Sequence, residues 1–331
     1  MSTSRPRPPR SVDPSRRGGS TRSRAGRARA KRSWTSTTGE LALSDGSARP
    51  GIAYQGEAGA YGEEAALGFF GEEAVATLPL ATFTAVCVAV QEGRAAGAVL
   101  PLENSLGGTV GEAVDALLHT ELAVVAELLL PVRHQLLGVS GASLETIEQV
   151  ASQQPALAQC EAFLARRSWR LIVTDDTAAA ARRLAASGDP STAVIASARA
   201  ARRHGLAILA RDIQGGPNFT RFAVVARSEA APLPAADGPL APSPTAQPAS
   251  LVVFETRHRA GALHHALGAF AEAGVNLTRI ESRPTRRQRW EYRFIVSVGG
   301  HRDAEPLSGA LGELRRRAHG VRVLGSFPSA G

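Results

Sequence analysis

The sequence predicts an α/β protein of two domains, and three observations lead to this prediction. Short apolar strands alternate with helices of similar length between residues 51 and 227, which is typical of an α/β domain with a largely parallel sheet. Residues 228–249 contain six prolines and many alanines, which favour an extended linker. The pattern after the linker is strand, helix, strand, strand, helix, strand, and this order fits an α+β ferredoxin-like unit.

Apolar periodicity assigns each element in turn. In the first domain it predicts strands at 51–54, 96–101, 121–130, 134–139, 170–173, 192–196, 206–210 and 219–227, and helices at 61–70, 82–93, 108–119, 155–167, 176–187 and 197–204. In the second domain a strand begins at Leu251. It is followed by a helix at 260–273, strands at 275–281 and 290–298, a helix at 303–318 and a strand at 320–327. We therefore place a tail at 1–49, the first domain at 50–227, the linker at 228–249 and the second domain at 250–328.

Charge is concentrated in the tail. Of the 38 Lys and Arg side chains, 12 lie in residues 1–50, against three of the 30 acids. The remaining residues are close to neutral, so a nucleic-acid-binding body is not indicated. The tail lacks hydrophobic periodicity and is expected to be disordered. A solvated tail or upstream extension, a basic arm for an acidic partner or nucleic acid, and a transit peptide are the alternatives.

The two cysteines and the lengths of the apolar runs limit which sites and which cellular location the sequence fits. Cys87 and Cys160 lie in apolar segments, are too few for a disulfide framework or a metal cluster, and are interpreted as buried small hydrophobes. No apolar run reaches transmembrane length, and no hydrophobic region follows the basic start. We therefore expect a cytoplasmic protein that does not enter a membrane.

Polar residues follow the apolar strand that ends near Leu100. The segment 101–105 is followed by a glycine pair and a helix start, whose free backbone N–H groups favour an anion. Its polar side chains are candidates for a ligand pocket; a polar turn that caps the helix is the alternative. The side chains concerned are Glu103, Asn104 and Ser105.

A second polar group lies where a loop enters a strand. Gly215, Gly216 and Pro217 form a turn, and the apolar run 223–226 forms the strand. Between them are Asn218, which can bridge loop amides, Thr220, which offers a hydroxyl, and Arg221, which can hold a carboxylate. Pairing of the arginine with a structural acid is the alternative.

Two further stretches have both a structural and a functional interpretation. Ser152 precedes a helix with Pro155 in its first turn, and helix capping explains this stretch by itself. In the second domain Gly261 opens a helix and residues 281–284 end a strand, which suggests close approach to a ligand or simple turn chemistry.

Taken together and in this order, five stretches resemble prephenate dehydratase. They are Tyr54-Gln55-Gly56, Pro101-Leu102-Glu103-Asn104-Ser105, Ala156-Leu157-Ala158-Gln159-Cys160, Asn218-Phe219-Thr220-Arg221-Phe222 and Glu281-Ser282-Arg283-Pro284. The resemblance covers about residues 51–327. It implies a two-lobed catalytic domain like a type II periplasmic binding protein, and a C-terminal unit similar to an ACT domain.

The resemblance also implies a reaction and a site. Prephenate would lose water and carbon dioxide to give phenylpyruvate, without a metal or an organic cofactor. Thr220 would hydrogen-bond or protonate the leaving hydroxyl, with a network that includes Asn104 or Glu103, and Arg221 would grip a carboxylate or hold the loop. The expected substrate-binding residues are Ser105, Asn218, Thr177, Phe222 and Gln159.

The resemblance to an ACT domain implies regulation. L-phenylalanine would bind at the interface of a homodimer or homotetramer and inhibit the enzyme. The residues concerned are Gly261, Ala262, Leu263, Glu281, Ser282 and Arg283. Arogenate dehydratase is the nearest alternative enzyme, and a non-catalytic amino-acid sensor is the alternative of another class.

Some positions depart from the family pattern. Ala60 and Gly62 stand where Thr or Ser is frequent, and Asp176 replaces the serine of a frequent Ser-Thr-Ala. Ser152-Gln153-Gln154 replaces a Ser-His-Pro pattern, and Gln214-Gly215 replaces Gln-Asp. These departures leave the choice between prephenate and its amino analogue arogenate open.

The first prediction concerns regulation. Glu281→Ala or Gly261→Val is expected to remove inhibition by phenylalanine without loss of activity, because these residues would bind the effector and not the substrate. Turnover measured against phenylalanine concentration tests this expectation. Unchanged inhibition in both variants would count against the effector site.

Overall fold

The computed structural model describes residues 49–243, 245–285 and 290–330. The tail prediction falls on residues 1–49, which lie outside this range except for Arg49. Within the described chain, elements alternate as follows up to the second lobe: β1 (Gly51–Gln55), α1 (Tyr61–Phe70), β2 (Ala76–Leu80), α2 (Phe83–Gln91), β3 (Gly97–Asn104), β4 (Gly108–Thr109), α3 (Gly111–Leu118) and β5 (Ala123–Pro131).

The chain then crosses to a second lobe and returns. This lobe contains β6 (Gln135–Gly138), β7 (Gln149–Ser152), α4 (Gln154–Gln159), α5 (Glu161–Leu164), β8 (Arg170–Val173), α6 (Thr177–Ser187), β9 (Thr192–Ala196), α7 (Ala198–His204) and β10 (Ala207–Ala210). The return strand is β11 (Phe219–Ala226), which inserts between β3 and β5 of the first sheet. Two crossovers, residues 132–134 and 211–218, therefore connect the lobes.

Both sheets are mixed, so the expectation of a largely parallel sheet is wrong. The first has the order β2-β1-β3-β11-β5, with β4 beside β3; β1 is parallel to its neighbours, but β11 is antiparallel to β3 and β5. The second has the order β10-β6-β9-β7-β8, and β6 is antiparallel to both neighbours. A strand that returns from the other lobe enters the sheet from the crossover end, and so it runs against β3.

Long-range hydrogen bonds explain where the predicted elements differ. The helix expected at 155–167 is divided at Cys160, where the backbone leaves helical geometry, and the Gln159 carbonyl accepts a hydrogen bond of 2.9 Å from Gly215 N–H on the second crossover. Ser152 does not cap this helix, because its hydroxyl donates to the Ile195 carbonyl at 2.8 Å. Helix α3 starts at Gly111 rather than at 108, since Gly108 and Thr109 pair with β3 as β4.

The C-terminal unit has the predicted βαββαβ order. Its elements are β12 (Pro248–Glu255), α8 (Ala262–Glu272), β13 (Leu277–Pro284), β14 (Tyr292–Gly299), α9 (Leu307–Arg317) and β15 (His319–Pro328). All strand pairs in the sheet β13-β14-β12-β15 are antiparallel. One face of this sheet packs on the two helices, and the core between them contains Phe254, Phe270 and Leu314.

The other face of this sheet packs on the first lobe. Leu251, Val253 and Phe327 share one apolar core with Val124 and Val225 of the first sheet. The approach of β15 to β5 is so close that a Cβ built on Gly325 would lie 1.8 Å from the Val124 carbonyl oxygen. The two-lobed domain and the C-terminal unit therefore bury apolar surface against each other.

The Pro-rich segment between the domains also makes contacts. Leu233 and Leu240 pack on the core of the first lobe. The amides of Gly238 and Leu240 donate to the carbonyls of Phe69 and Gly68 at 2.9 and 2.8 Å. This segment lies along the end of α1 over these residues.

The expectation for the cysteines is confirmed. Cys87 and Cys160 are free and buried, and burial raises the pKa of Cys87 to about 11 and that of Cys160 to about 12. Within residues 49–243, 245–285 and 290–330, no helix is long and apolar enough to cross a membrane.

The close approach at Gly325 generates a stability prediction. Gly325→Ala should lower the free energy of unfolding by about 1–3 kcal/mol, because the added methyl group has no space between β15 and β5. Gly312→Ala is the matched control: a Cβ there meets open space in the interior of α9, and alanine should stabilise the helix by about 0.5–1 kcal/mol. Urea unfolding measures both. Equal effects in the two variants would contradict the packing described here.

Candidate active site

A cavity of about 530 Å³ lies between the two lobes. Its walls come from the starts of five helices, the ends of the first-lobe strands and the first crossover. Thr220, Asn104 and Phe222 line it from the first lobe, and Gln159 and Thr177 line it from the second. The cleft therefore brings together five of the residues singled out from the sequence, although these residues are up to 118 positions apart.

The Asn104 side chain connects the first lobe to the second crossover. Its Oδ1 accepts hydrogen bonds from the backbone N–H groups of Leu106 and Gly107, at 3.0 and 2.7 Å. Since backbone N–H groups only donate, these two bonds orient the amide. Its Nδ2 then faces Asn218 Oδ1 at 2.6 Å and Thr220 Oγ1 at 2.9 Å.

This orientation decides what the Thr220 hydroxyl does. Its oxygen accepts a hydrogen bond from Asn104 Nδ2, and no group among the described residues accepts its proton. Thr220 is 8% exposed and lines the cavity. A ligand in the cleft therefore meets a hydroxyl whose proton is available for donation.

Gln159 extends the network into the second lobe. Its Nε2 donates to Asn104 Oδ1 at 3.1 Å, and its Oε1 accepts from Asn218 Nδ2 at 2.8 Å. The same Oε1 lies 2.9 Å from His134 Nε2, and His134 Nδ1 lies 3.0 Å from the Tyr61 hydroxyl. The polar network therefore joins both lobes and both crossovers.

Arg221 and Glu103 lie outside the cleft. Successive side chains of a strand point to opposite faces, so Arg221 points away from Thr220. Its Nη1 lies 2.5 Å from Glu127 Oε1, and its Nε lies 3.9 Å from Glu103 Oε2. The expected grip of Arg221 on a substrate carboxylate is therefore replaced by the alternative in which it pairs with structural acids.

Three other expected substrate residues have structural contacts. The Ser105 hydroxyl accepts a hydrogen bond of 2.9 Å from Phe219 N–H and does not line the cavity. Asn218 is 3% exposed, and both ends of its amide are bonded within the network. Phe222 is buried beneath the loop and forms part of the cavity floor.

The electrostatics of the cleft depend on helix starts rather than on basic side chains. Among the described residues that line the cavity, none is an arginine or a lysine. The walls instead contain the N-terminal ends of α1, α2, α3, α4 and α6, where backbone N–H groups and the helix dipole attract anions. The starts of α1, α3 and α4 have no side-chain cap, whereas Thr82 caps α2 and Asp176 caps α6.

Carboxyl groups also line the cleft, in addition to these helix starts. Glu112, Asp175 and Asp176 are the acids concerned. Burial raises the pKa of Asp176, although its hydrogen bond to Ala179 N–H at 2.6 Å opposes this effect. The cleft can therefore bind an anion at the helix starts and has acids available for a cationic group.

Sequence reasoning missed several cleft residues. His134 belongs to none of the stretches singled out from the sequence, yet it is 3% exposed and bonded through both ring nitrogens. Its position directly after β5, between two apolar runs, is the only local signal. Tyr61 at the start of α1 and Thr82 at the start of α2 gave no signal, because each looks like an ordinary first-turn residue.

The expected effector residues divide into two groups. Glu281 Oε2 accepts a hydrogen bond of 2.6 Å from Thr109 Oγ1, and Arg283 pairs with Asp115 of α3 at 2.7 Å. Ser282 points to the other face of β13 and is exposed. The segment 261–263 opens α8, and no hydrogen bond or ion pair described for this chain joins it to residues 281–283.

Gly261 has a φ of 76°, in the left-handed region that favours glycine. Any side chain there strains the backbone, so Glu281→Ala is a better test of the effector site than Gly261→Val.

Arg279 of β13 also connects the ACT-like unit to the two-lobed domain. Arg279 is 7% exposed in its side chain, and its Nε lies 3.5 Å from Glu103 Oε2. Burial lowers its pKa, and the charge of Glu103 opposes that effect. Glu103 therefore lies between Arg221 of β11 and Arg279 of β13.

The fold and the cleft define a two-lobed, periplasmic-binding-protein-like α/β protein with a C-terminal regulatory-type unit. The family model for prephenate dehydratase matches residues 52–230, and that for the ACT domain matches residues 250–316. The chain belongs to the prephenate dehydratase family and carries an ACT domain.

Individual relatives agree with this assignment. The chain is 36% identical over 282 residues to a bifunctional chorismate mutase/prephenate dehydratase of Aquifex aeolicus, covering 84% of this chain and 74% of the relative. It is 37% identical over 294 residues to arogenate dehydratase 2 of Petunia hybrida, covering 84% and 71%.

Solved structures are also similar. A prephenate dehydratase from Arthrobacter aurescens in complex with L-Phe has a TM-score of 0.75 at 30% identity, covering 85% of this chain and 90% of that one. GqqA, described as a novel type of quorum quenching acylase, has a TM-score of 0.73 at 34% identity, covering 84% and 98%.

The orientation of the Asn104 amide generates a prediction. Asn104→Asp places a carboxylate oxygen against Asn218 Oδ1 and the Phe219 carbonyl, so the free energy of unfolding at neutral pH should fall by about 1–3 kcal/mol. These oxygens should raise the pKa of the new carboxyl in the folded state. The deficit should therefore be smaller at a pH near 4, where the carboxyl is largely protonated.

Asn276→Asp is the matched control, because Asn276 is exposed. Urea unfolding of both variants at the two pH values gives the comparison. A deficit that does not change with pH, or one that appears equally in the control, would contradict the orientation of the amide.

Proposed function

We propose that this protein converts prephenate to phenylpyruvate, water and carbon dioxide in the cleft between its lobes. The observation that carries the proposal is the Thr220 hydroxyl, which accepts from Asn104 Nδ2 and has its proton available in the cavity. Family membership supports the same reaction. The proposal extends to L-phenylalanine biosynthesis in the cytoplasm.

The chemistry follows from the substrate and this hydroxyl. The bond from the ring to its carboxylate breaks, carbon dioxide leaves, and the electron pair restores the aromatic ring. The ring C–O bond breaks on the other side, and the departing hydroxide takes the Thr220 proton to form water. The negative charge that develops on Oγ1 is stabilised by the hydrogen bond from Asn104 Nδ2 and is later neutralised by a proton from solvent.

The cleft must also hold the dianionic substrate in position. With no arginine or lysine among the described cavity-lining residues, we assign the two carboxylates to backbone N–H groups at the helix starts. The uncapped starts of α1 and α4 line the cavity from different lobes and are the first candidates. Binding a carboxylate to each would orient the ring hydroxyl toward Thr220.

Regulation is proposed for the ACT domain. L-Phe is bound in the similar Arthrobacter structure. We place the effector where residues 261–263 of one copy meet residues 281–283 of a second, which requires a homodimer or a larger assembly. The contacts from Glu281 to Thr109 and from Arg283 to Asp115 reach β4 and α3, which flank the Asn104 turn. Effector binding that moves β13 would therefore act on the cleft.

Arogenate is the second candidate substrate, because the cleft also contains carboxyl groups. Arogenate carries an ammonium group where prephenate has a keto oxygen, and Asp175 or Glu112 offers it a counter-charge. A relative that is 37% identical is named as an arogenate dehydratase. A non-catalytic sensor remains the alternative if neither compound turns over.

The decisive prediction compares two variants of Thr220. Thr220→Val keeps the shape but removes the hydroxyl, and kcat with prephenate should fall by about 10²- to 10³-fold. Thr220→Ser keeps the hydroxyl and should retain much more activity. The measurement is phenylpyruvate formation by the purified protein, with and without L-phenylalanine, and parallel turnover of arogenate.

Each outcome has a distinct meaning. Turnover of prephenate that phenylalanine lowers supports the activity and its regulation together. Turnover of arogenate alone transfers the proposal to that substrate. Tight phenylalanine binding without turnover of either compound would favour the sensor, and full activity of Thr220→Val would remove Thr220 from the mechanism.

A further inference from the structure

His134 is a buried titratable group that the proposed reaction does not use directly. It lies on the first crossover, is 3% exposed and lines the cavity floor behind Gln159. Both ring nitrogens have partners, since Nε2 lies 2.9 Å from Gln159 Oε1 and Nδ1 lies 3.0 Å from the Tyr61 hydroxyl. Its backbone is also fixed, because its N–H donates to Gln214 Oε1 and its carbonyl accepts from Ile213 N–H.

The hydrogen-bond network decides which ring nitrogen carries the proton. The Asn104 Oδ1 atom is fixed as an acceptor by two backbone N–H groups, so the Gln159 nitrogen must face it and donate. Gln159 Oε1 is then left facing His134, and an oxygen of this kind can only accept. The ring must therefore donate from Nε2.

The Tyr61 hydroxyl completes this arrangement on the other side of the ring. With the proton on Nε2, the Tyr61 hydroxyl proton is shared between two acceptors, the Nδ1 lone pair at 3.0 Å and the Arg133 carbonyl at 2.9 Å. Burial raises the pKa of Tyr61 and lowers that of His134, so a phenol next to a neutral imidazole is the favoured state. The ring also packs edge-on against Tyr61, with centroids 5.5 Å apart.

The same reasoning assigns the donor and the acceptor of each hydrogen bond between His134 and Thr220. Gln159 is held with its nitrogen toward Asn104, and its oxygen accepts from both His134 and Asn218. That leaves Asn218 Oδ1 as the acceptor for Asn104 Nδ2, which also donates to the Thr220 hydroxyl. If Gln159 turned over, two oxygens would face each other at Asn104 and two donors would face each other at Asn218.

We propose that His134 is a positioning residue for Thr220: the Nε2–H of its ring donates to Gln159 Oε1 and so reinforces the orientation of the Gln159 and Asn104 amides that leaves the Thr220 proton free for the substrate. This inference deepens the proposed dehydratase function and rests on it. His134 touches neither the hydroxyl nor the reacting bond, so it acts only through Gln159, Asn218 and Asn104. Loss of its N–H is expected to affect the chemical step more than substrate binding.

Two substitutions at this position separate the hydrogen bond from the packing. His134→Leu fills the space but lacks the donor, so kcat with prephenate should fall by about 10- to 100-fold, with KM changed by less than about threefold. His134→Gln places an amide N–H close to the position of Nε2 and should recover most of that loss. The matched control is His258→Leu, an exposed histidine in the ACT domain, assayed without phenylalanine.

The results separate this inference from the proposed function. Equal kcat in wild type and His134→Leu would overturn the inference while the dehydratase function stands. Equal losses in His134→Leu and His134→Gln, with equal losses of thermal stability, would reduce the residue to a packing role and also overturn it. A kcat loss in the leucine variant that glutamine restores supports it.

A spectroscopic measurement tests the hydrogen bond without any turnover. The imidazole ¹⁵N signals that disappear in His134→Leu belong to His134. At neutral pH they should show a protonated Nε2 and an unprotonated Nδ1. A proton on Nδ1 with a bare Nε2 would overturn the inference even in an active enzyme, whereas the expected tautomer in a chain inactive on both substrates would support the network and leave only the reaction in error.

Discussion

The cleft depends on the carboxamide of Asn104 more than on any other single group. Its oxygen accepts from two backbone amides of its own turn and from Gln159 of the second lobe. Its nitrogen donates to Asn218 on the second crossover and to the Thr220 hydroxyl. One side chain therefore connects the two lobes, fixes the polarity of a buried network and prepares a hydroxyl for a ligand. Since an unpaired buried polar group costs about 1–3 kcal/mol, the members of this network constrain one another.

Because side chains alternate along β11, two neighbouring residues of this strand lie on opposite faces of the sheet. Thr220 faces the cleft, while Arg221 faces the surface on which the ACT domain packs. On that second face Glu103 lies between Arg221 and Arg279 of β13. The same pair of strands, β3 and β11, thus presents the Asn104–Thr220 hydrogen bond on one side and a partly buried charge cluster on the other. Strands β3 and β11 therefore connect β13 to Asn104 and Thr220.

The way in which the cleft attracts anions follows from the fold. Five helices begin in its walls, and their N-terminal ends supply positive potential without arginine or lysine among the described lining residues. The carboxyl groups of Glu112 and Asp175 lie in the same walls. Charge composition alone gives no indication of this, because residues 51–331 are nearly neutral in sum.

Local patterns were enough to predict many elements. Helices α1, α6 and α7 and strands β8 and β9 lie within a residue or so of the predicted bounds, because each has its own periodicity and punctuation. Strand β2 was missed, since it is an edge strand with a proline, and β7 was missed although β8, of the same length, was predicted. The predicted helix 155–167 divides at Cys160 because a crossover amide captures the Gln159 carbonyl, and that donor is 56 residues away in the chain.

Local sequence patterns were sufficient to predict an α/β unit, an α+β unit, the Pro-rich segment between them and the family motifs that include Asn104, Gln159 and Thr220. Three features depend on how the chain packs in space: Arg221 faces away from the cleft, His134 belongs to the polar network, and Arg279 approaches Glu103. The difference lies in the range of the interactions. Helix and strand propensities act between near neighbours, whereas these hydrogen bonds and ion pairs join groups that meet only after the chain has crossed between the lobes and the ACT sheet has packed on the first.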